Sequence, residues 1–495
     1  MKPSLIENIA RFGKSAAIVE SAKVYTYEDL DSQSDNLANE LERRFGKLKS
    51  ERIILMVSAG FNYCSALLAI WKSGAIAVPV FIDLPANAIE YYIEDSGASV
   101  LISDDYSAGD VEMLKEKVNI INLSQLVFDS PLPYQSQSDY EDDALIIYTS
   151  GTTSKPKGVL TTHRILEAQI TILVEAWEWT SEDAILNLLP LHHVHGLVNA
   201  LLCPLFAGAR IFILSKFDTG IVWNLLLSGK INVFMAVPTI YSKLISAFEL
   251  LTEEENQRTT TALKNFRLMV SGSAALPVSV LEKWKTISGH FLLERYGMTE
   301  IGMAISNPYS GERKAGFVGL PLPGVQVRLF DNDSKKIAEK EDAGEIQIKS
   351  PAVFKLYWKK QDATKDSFTE DGWFKTGDLA VCIDGYYKIL GRLSSDIIKS
   401  GGYKLSAIEI EESLREHPSL ADVAVLAIPD DTWGETVVAV LVLKEKDSLV
   451  DAKSISEWLS DKLPAYKIPK KYRFVDELPR NAMGKIVKNS VKELF

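Results

Sequence analysis

Three times in this chain a short apolar run stops at a loop and gives way to residues spaced as in a helix. Residues 144–148 run into Thr149, residues 233–237 into Pro238, and residues 268–270 into Ser271. Runs of that length suit strands buried on both faces, and their alternation with helical patterns is the mark of an α/β chain. An earlier segment supplies a helix. Thr26 caps it, and Leu30, Leu37, Leu41 and Phe45 follow near helical spacing. In open α/β sheets ligands sit beyond the carboxyl ends of the strands, so the loops after residues 148, 237 and 270 are where chemistry is expected.

At 495 residues the chain exceeds what one core usually supports, and at least two structural units are expected. A net charge of -12 argues against a nucleic-acid binder, and the densest basic cluster, residues 467–473, is broken by Ile468 and Pro469. Cys64, Cys203 and Cys382 are too scattered for a zinc site or a disulfide framework, and they read as core residues of a reducing compartment. The first residues carry Lys2, Glu7 and Arg11 with no secretion signal. The most apolar stretch, 184–214, is interrupted by Pro190, Pro204 and histidines, which argues against a membrane span. A soluble, cytoplasmic protein is expected.

Past residue 391 the texture becomes a compact α+β series. Helices are expected over 406–415 and 454–463, and strands over 423–428, 436–443 and 472–475. The polar segment 391–396 lies between the two textures, as a linker does.

The sharpest local signal is Tyr148-Thr149-Ser150-Gly151-Thr152-Thr153-Ser154-Lys155-Pro156-Lys157-Gly158, directly after an apolar run. Backbone N–H groups, hydroxyls and ammonium groups converge there, a combination suited to nucleotide phosphates. The GxxxxGK[ST] pattern is absent, so this is not a Walker loop. By itself such a loop is also compatible with a flexible Ser/Thr/Gly turn.

It does not stand by itself. Glu294-Arg295-Tyr296-Gly297-Met298-Thr299-Glu300, Gly372-Trp373-Phe374-Lys375-Thr376-Gly377-Asp378, Gly391-Arg392 and Pro479-Arg480-Asn481-Ala482-Met483-Gly484-Lys485 follow in order. With the loop, these segments resemble the adenylate-forming superfamily of acyl-CoA synthetases, peptide-synthetase adenylation domains and luciferases. The resemblance runs along nearly the whole chain. It implies a large N-terminal domain of stacked α/β sheets plus a β-subdomain over residues 1–391, a hinge at 392–396, and a small mobile α+β domain over 397–495. Ser154 departs from the glycine usual in the family's loop, and Ser394 stands where many relatives carry Asp or Lys.

The implied reaction joins a carboxylate to the α-phosphorus of ATP and then passes the acyl group to coenzyme A. Both first reactants are anions, so charge must be neutralised. By resemblance Glu300 coordinates Mg2+ with help from Thr149, and Thr149 with Thr299 donates to phosphate. Ser150, Gly151, Thr152, Thr153 and Lys157 complete the phosphate loop. Gly272, Ser273, Ala274, Glu294, Arg295, Tyr296, Gly297 and Met298 match the walls of the adenine slot. Asp378 matches the acceptor of the ribose hydroxyls, assisted by Arg392. Lys485 matches the lysine that stabilises the charge developing during adenylation. Gly402, Tyr403 and Lys404 would line the approach of the coenzyme A thiol.

For the acyl group, the segments 189–196 and 391–404 are similar to the malonyl-CoA synthetase subgroup. That likeness implies malonate or methylmalonate as substrate. His193 is assigned to catalysis and, with His195, Ser271 and Met298, to the acyl pocket, and Arg313 to the distal carboxylate. Two histidines so close could also suggest metal, but no third ligand completes a zinc set nearby. Other functions remain open: another short-chain acyl-CoA ligase, a free-standing carrier-protein-loading adenylation enzyme, or a nucleotide-binding protein without catalysis.

Overall fold

The structure is a computed structural model, and it describes residues 2–21, 23–105, 111–128, 132–149, 155–339, 341–400, 403–430, 433–445, 450–480 and 486–495. Its centre is a nine-stranded sheet and a seven-stranded sheet. In the first, strands Ala16–Glu20, Arg210–Ile213, Ala184–Asn187, Val233–Ala236, Leu268–Ser271 and Leu293–Met298 lie parallel in that spatial order. In the second, Asn119–Asn122, Val100–Ser103, Arg52–Met56, Ile76–Pro79 and Asp143–Thr149 do the same, with Lys157–Thr162 antiparallel beside the last and Leu356–Tyr357 antiparallel at the edge.

The two-residue period of a strand explains how both sheets are buried twice. Ile53 and Leu55 face a core shared with Ile185, Val233 and Val270 of the first sheet, whereas Ile54 and Met56 face a second core with Ile146 and Leu160. Helices fill the shared layer. Helix Tyr27–Phe45 opens on a capping box between Thr26 and Asp29 and buries Leu30, Leu37 and Leu41, as its spacing requires.

The apolar stretch 184–214 resolves into strand Ala184–Asn187, a π-helix His195–Leu202, helix Cys203–Ala207 and strand Arg210–Ile213. Among the described residues no helix is long and apolar enough to cross a membrane.

A five-stranded sheet follows, running Lys336–Ile337, Gln326–Asp331, Gly344–Lys349, Phe374–Ile383 and Tyr386–Arg392. A fourth sheet begins at Ile397–Ser400 and is dominated by the antiparallel pair Leu420–Asp430 and Gly434–Leu443, with apolar clusters on both of its faces. The chain crosses from the third sheet to the fourth between Arg392 and Ile397, although Gly391 and Arg392 still belong to a strand.

The starts of the central strands of the first sheet, at the end opposite the ligand loops, are fastened by a largely buried pair. Asp183, 2% exposed, accepts from Arg267 Nη2 at 2.7 Å, from the Thr180 N–H at 2.8 Å and from Asn232 Nδ2 at 3.0 Å. Removing one partner of such a pair leaves a charge with poor compensation and costs about 3–5 kcal/mol. Arg267→Ala is therefore expected to lower the unfolding free energy read from a urea titration by up to that amount while leaving nucleotide affinity near wild type, since the loops lie at the other end of the strands.

Candidate active site

Strand Asp143–Thr149 delivers Thr149 opposite Lys157 in the antiparallel register, and Thr149 Oγ1 donates to the Lys157 carbonyl at 3.5 Å. Strand Leu293–Met298 leads into a turn holding Thr299 and Glu300. Tyr357 donates its hydroxyl to Glu300 Oε1 at 2.8 Å, and the Lys157 ammonium stands 5.4 Å from the centre of the Tyr357 ring. Burial pushes the Glu300 carboxyl above its ordinary range. Thr149, Lys157, Met298, Glu300, Tyr357 and Arg392 share the wall of a cavity of about 490 Å³.

Asp378 and Arg392 are direct cross-strand partners in the third sheet. Arg392 donates from Nε to Asp378 Oδ1 at 3.0 Å and from Nη2 to Oδ2 at 3.3 Å, while the Tyr296 hydroxyl donates to Oδ2 at 2.6 Å. Tyr296, expected as a wall of the adenine slot, thus orients the carboxylate assigned to the ribose. This contact joins the end of a first-sheet strand to the third sheet.

A separate polar cluster forms where strands Leu268–Ser271 and Leu293–Met298 run parallel, with Ser271 beside Glu294 in register. Arg295 is 4% exposed, and neither its Nε nor its Nη2 has a hydrogen-bond partner among the described residues. Gly272 leaves the space this side chain occupies: a Cβ there would lie 2.4 Å from the guanidinium carbon. His195 Nδ1 is 3.0 Å from Ser273 Oγ, and His195 Nε2 and Ser271 Oγ also have no partner among the described residues. Burial lowers the Arg295 pKa to about 9, so the group remains a cation at neutral pH, and the same burial raises Glu294 to about 8 and keeps it protonated there. An orphaned buried guanidinium costs free energy unless an anion joins it.

His193 packs against His192 with ring centres 4.2 Å apart, and His192 packs on Phe81 at 5.1 Å. Burial depresses both imidazoles, His192 to about 3 and His193 to about 4, so neither carries charge at neutral pH.

Arg313, expected at the distal carboxylate, is held by the backbone here. Its Nε, Nη1 and Nη2 donate to the carbonyls of Pro308, Phe291 and Tyr309 at 2.9, 2.6 and 2.9 Å. A guanidinium that donates from all three nitrogens to backbone oxygens braces the 308–313 turn and has fewer donors left for a substrate carboxylate.

Ala274 follows Gly272 and Ser273 in the loop after Ser271, and Gly297 sits where a Cβ would meet the Gly302 carbonyl at 2.2 Å. Tyr403 and Lys404 open strand Tyr403–Ser406, paired with Ser400 and Lys399. Ser150, Gly151, Thr152, Thr153, Gly402 and Lys485 lie outside the described residues.

Against known proteins, residues 5–358 match the model of the AMP-binding enzyme family, and residues 409–485 match that of the AMP-binding enzyme C-terminal domain. The chain belongs to the AMP-binding enzyme family. This AMP-binding enzyme is 44% identical to the mitochondrial malonate–CoA ligase of Homo sapiens, over 98% of this chain and 90% of that protein. It is 41% identical to the malonate–CoA ligase of Arabidopsis thaliana, over 91% of this chain and 79% of that protein. The crystal structure of ATP-bound MatB from Rhodopseudomonas palustris superposes with a TM-score of 0.91 at 32% identity, covering 100% of this chain and 99% of that one.

Two residues gain a place that sequence reasoning did not assign. Tyr357, on the two-residue strand Leu356–Tyr357, carried no motif signal. Arg295 was placed in the adenine slot, and the signal available was its neighbour. Successive strand residues point to opposite faces, so Arg295 and Glu294 cannot both serve one wall.

Proposed function

We propose that this AMP-binding enzyme is a malonate–CoA ligase, with methylmalonate as the other candidate acid. A carboxylate oxygen of the acid attacks the α-phosphorus of ATP and pyrophosphate leaves. The thiolate of coenzyme A then attacks the acyl carbon and AMP leaves. The observation that carries the dicarboxylate is Arg295, a cation whose Nε and Nη2 are buried without a partner among the described residues. A second carboxylate on the substrate supplies the missing anion in a charge-assisted, bidentate manner, and His195 at the same cluster, which burial holds well below its ordinary pKa and so neutral, is able to donate to it. The high identity to proteins named malonate–CoA ligases supports the same reading.

In this reading Asp378 and Arg392 hold the ribose, Lys157 and Thr149 face the phosphates, and Lys485 stabilises charge on the α-phosphate during adenylation. Among the described residues there is no group of three or more His, Cys, Asp or Glu able to hold a metal. Mg2+ needs no such cage, since it binds through one or two carboxylates and substrate phosphates, and Glu300 beside Thr149 fits that demand. When bound, it would neutralise phosphate charge. Residues 392–396 are the hinge about which residues 397–495 would reorient between the half-reactions. A cytoplasmic location rests on composition alone and is a matter for fractionation, because the Homo sapiens relative is named mitochondrial.

The test is turnover with ATP and coenzyme A across malonate, methylmalonate, propionate and butyrate, reading AMP, pyrophosphate and thioester. Malonate or methylmalonate is expected to give the highest kcat/KM. Preference for a monocarboxylate refutes the dicarboxylate reading, and product formed only on a carrier-protein thiol refutes the ligase.

A further inference from the structure

Lys488 stands three positions beyond Lys485 and begins helix Lys488–Lys492. Its ammonium is 2.8 Å from Asp396 Oδ1, 3.2 Å from Glu411 Oε1 and 2.9 Å from the Val425 carbonyl. The three side chains are 19%, 18% and 7% exposed in the order Lys488, Asp396, Glu411, which is not the setting of a solvated surface lysine. Glu411 also accepts the Val425 N–H at 2.9 Å and pairs with Arg415 at 3.2 Å, so two cations offset two carboxylates.

Asp396 reaches the other way as well. Its Oδ2 accepts the Arg392 N–H at 3.0 Å, and its own N–H donates to the Arg392 carbonyl at 2.8 Å. Arg392 in turn grips Asp378. A continuous chain of polar contacts therefore runs from Asp378 through Arg392 and Asp396 to Lys488. On the other flank of residues 481–485, Arg480 bridges to Ile486 and is ion-paired with Asp422, and the Val487 N–H donates to the Pro479 carbonyl at 2.9 Å. The described residues on both flanks of 481–485 are fastened, and Lys488 ties the later flank to the linker.

We propose that Lys488 is a positioning residue: through Asp396 it ties residues 486–488, which directly follow Lys485 in the chain, to residues 392–396, so that linker and flank hold one arrangement during adenylate formation. The inference rests on the reading that Lys485 serves adenylation.

The test compares Lys488→Ala, Lys488→Arg, Asp396→Asn and Lys485→Ala in the full chain. Adenylation is read as malonate-dependent ATP–pyrophosphate exchange, and the second step as thioester formation from supplied malonyl-adenylate and coenzyme A. Lys488→Ala is expected to slow exchange by at least about tenfold and the second step by no more than about twofold, because one charge-assisted tether is lost. Lys488→Arg keeps the charge and should recover most of the exchange. A lysine that only stabilises the fold would slow both steps alike, and that result, with Lys485→Ala still selective for exchange, overturns the proposal. If Lys485→Ala itself slows both steps equally, the proposal falls with its premise, and the failure is traced to Lys485. Should Lys488→Ala lose its fold by circular dichroism, Asp396→Asn, which keeps shape and removes charge, carries the same expectation and the same refutation.

Discussion

Arg295→Ala is expected to lower kcat/KM for malonate by at least about hundredfold while changing propionate and butyrate by only a few fold. The guanidinium is buried with two nitrogens free of partners among the described residues. Hydrogen bonds to charged groups contribute about 1.5–3 kcal/mol each, so a bidentate pair supplies about 3 kcal/mol or more, which is two decades of rate. The sign for monocarboxylates is different. Propionate leaves the cation without an anion in wild type, so removing the cation is neutral or favourable for it. Arg295→Lys should rescue poorly, since an ammonium keeps the charge but loses the planar fork.

The folded protein offers a second readout. A buried charge without an anion destabilises the apo state, so Arg295→Met should hold or raise Tm, and malonate should raise Tm in wild type but not in the variant. Equal loss of activity with all acids would show that Arg295 supports the fold of the site and reads no substrate group.

Arg295 and Arg313 show where a sequence stops being informative. Both are arginines near the same motif, and either has the chemistry to meet a carboxylate. What separates them is the carbonyls that surround Arg313, from residues 291, 308 and 309, and the space that Gly272 leaves for Arg295. Neither is a local property. The strands and loops were legible because burial on both faces forces continuous apolar runs: residues 268–270 became strand Leu268–Ser271 with Gly272 in the loop beyond.

Boundaries were less so. The helix expected over 454–463 is Ala452–Ser460, because Asp451 forms a capping box with Ser454 and starts it early. The linker expected over 391–396 loses its first two residues to strand Tyr386–Arg392, whose last residue is held there by pairing with Asp378. Motif order pointed to Asp378 and Arg392 separately. Only the sheet register makes them partners.

That partnership sets the second large effect, for Asp378→Ala is expected to lower kcat/KM for ATP by about hundredfold. The carboxylate is 8% exposed and accepts from Tyr296 and Arg392. A fully buried pair would cost about 3–5 kcal/mol to break; Arg392 is half-buried, so the cost here lies at or below the low end of that range, divided between folding and nucleotide binding, and a fall in Tm should accompany the loss. The ribose role makes a finer expectation. A carboxylate has about four acceptor sites, and the contacts from Tyr296 and from Arg392 Nε and Nη2 leave room for one ribose hydroxyl without displacing a partner. One of 2′-deoxy-ATP and 3′-deoxy-ATP should therefore be penalised about tenfold or more in wild type, and the other much less. In Asp378→Ala the stronger penalty should vanish, because the group that read the hydroxyl is gone. This is a double-mutant cycle with one arm on the nucleotide, and it isolates the contact from the general damage done by the substitution. If the penalties are the same in Asp378→Ala as in wild type, Asp378 holds Arg392 and Tyr296 in place but does not touch the sugar.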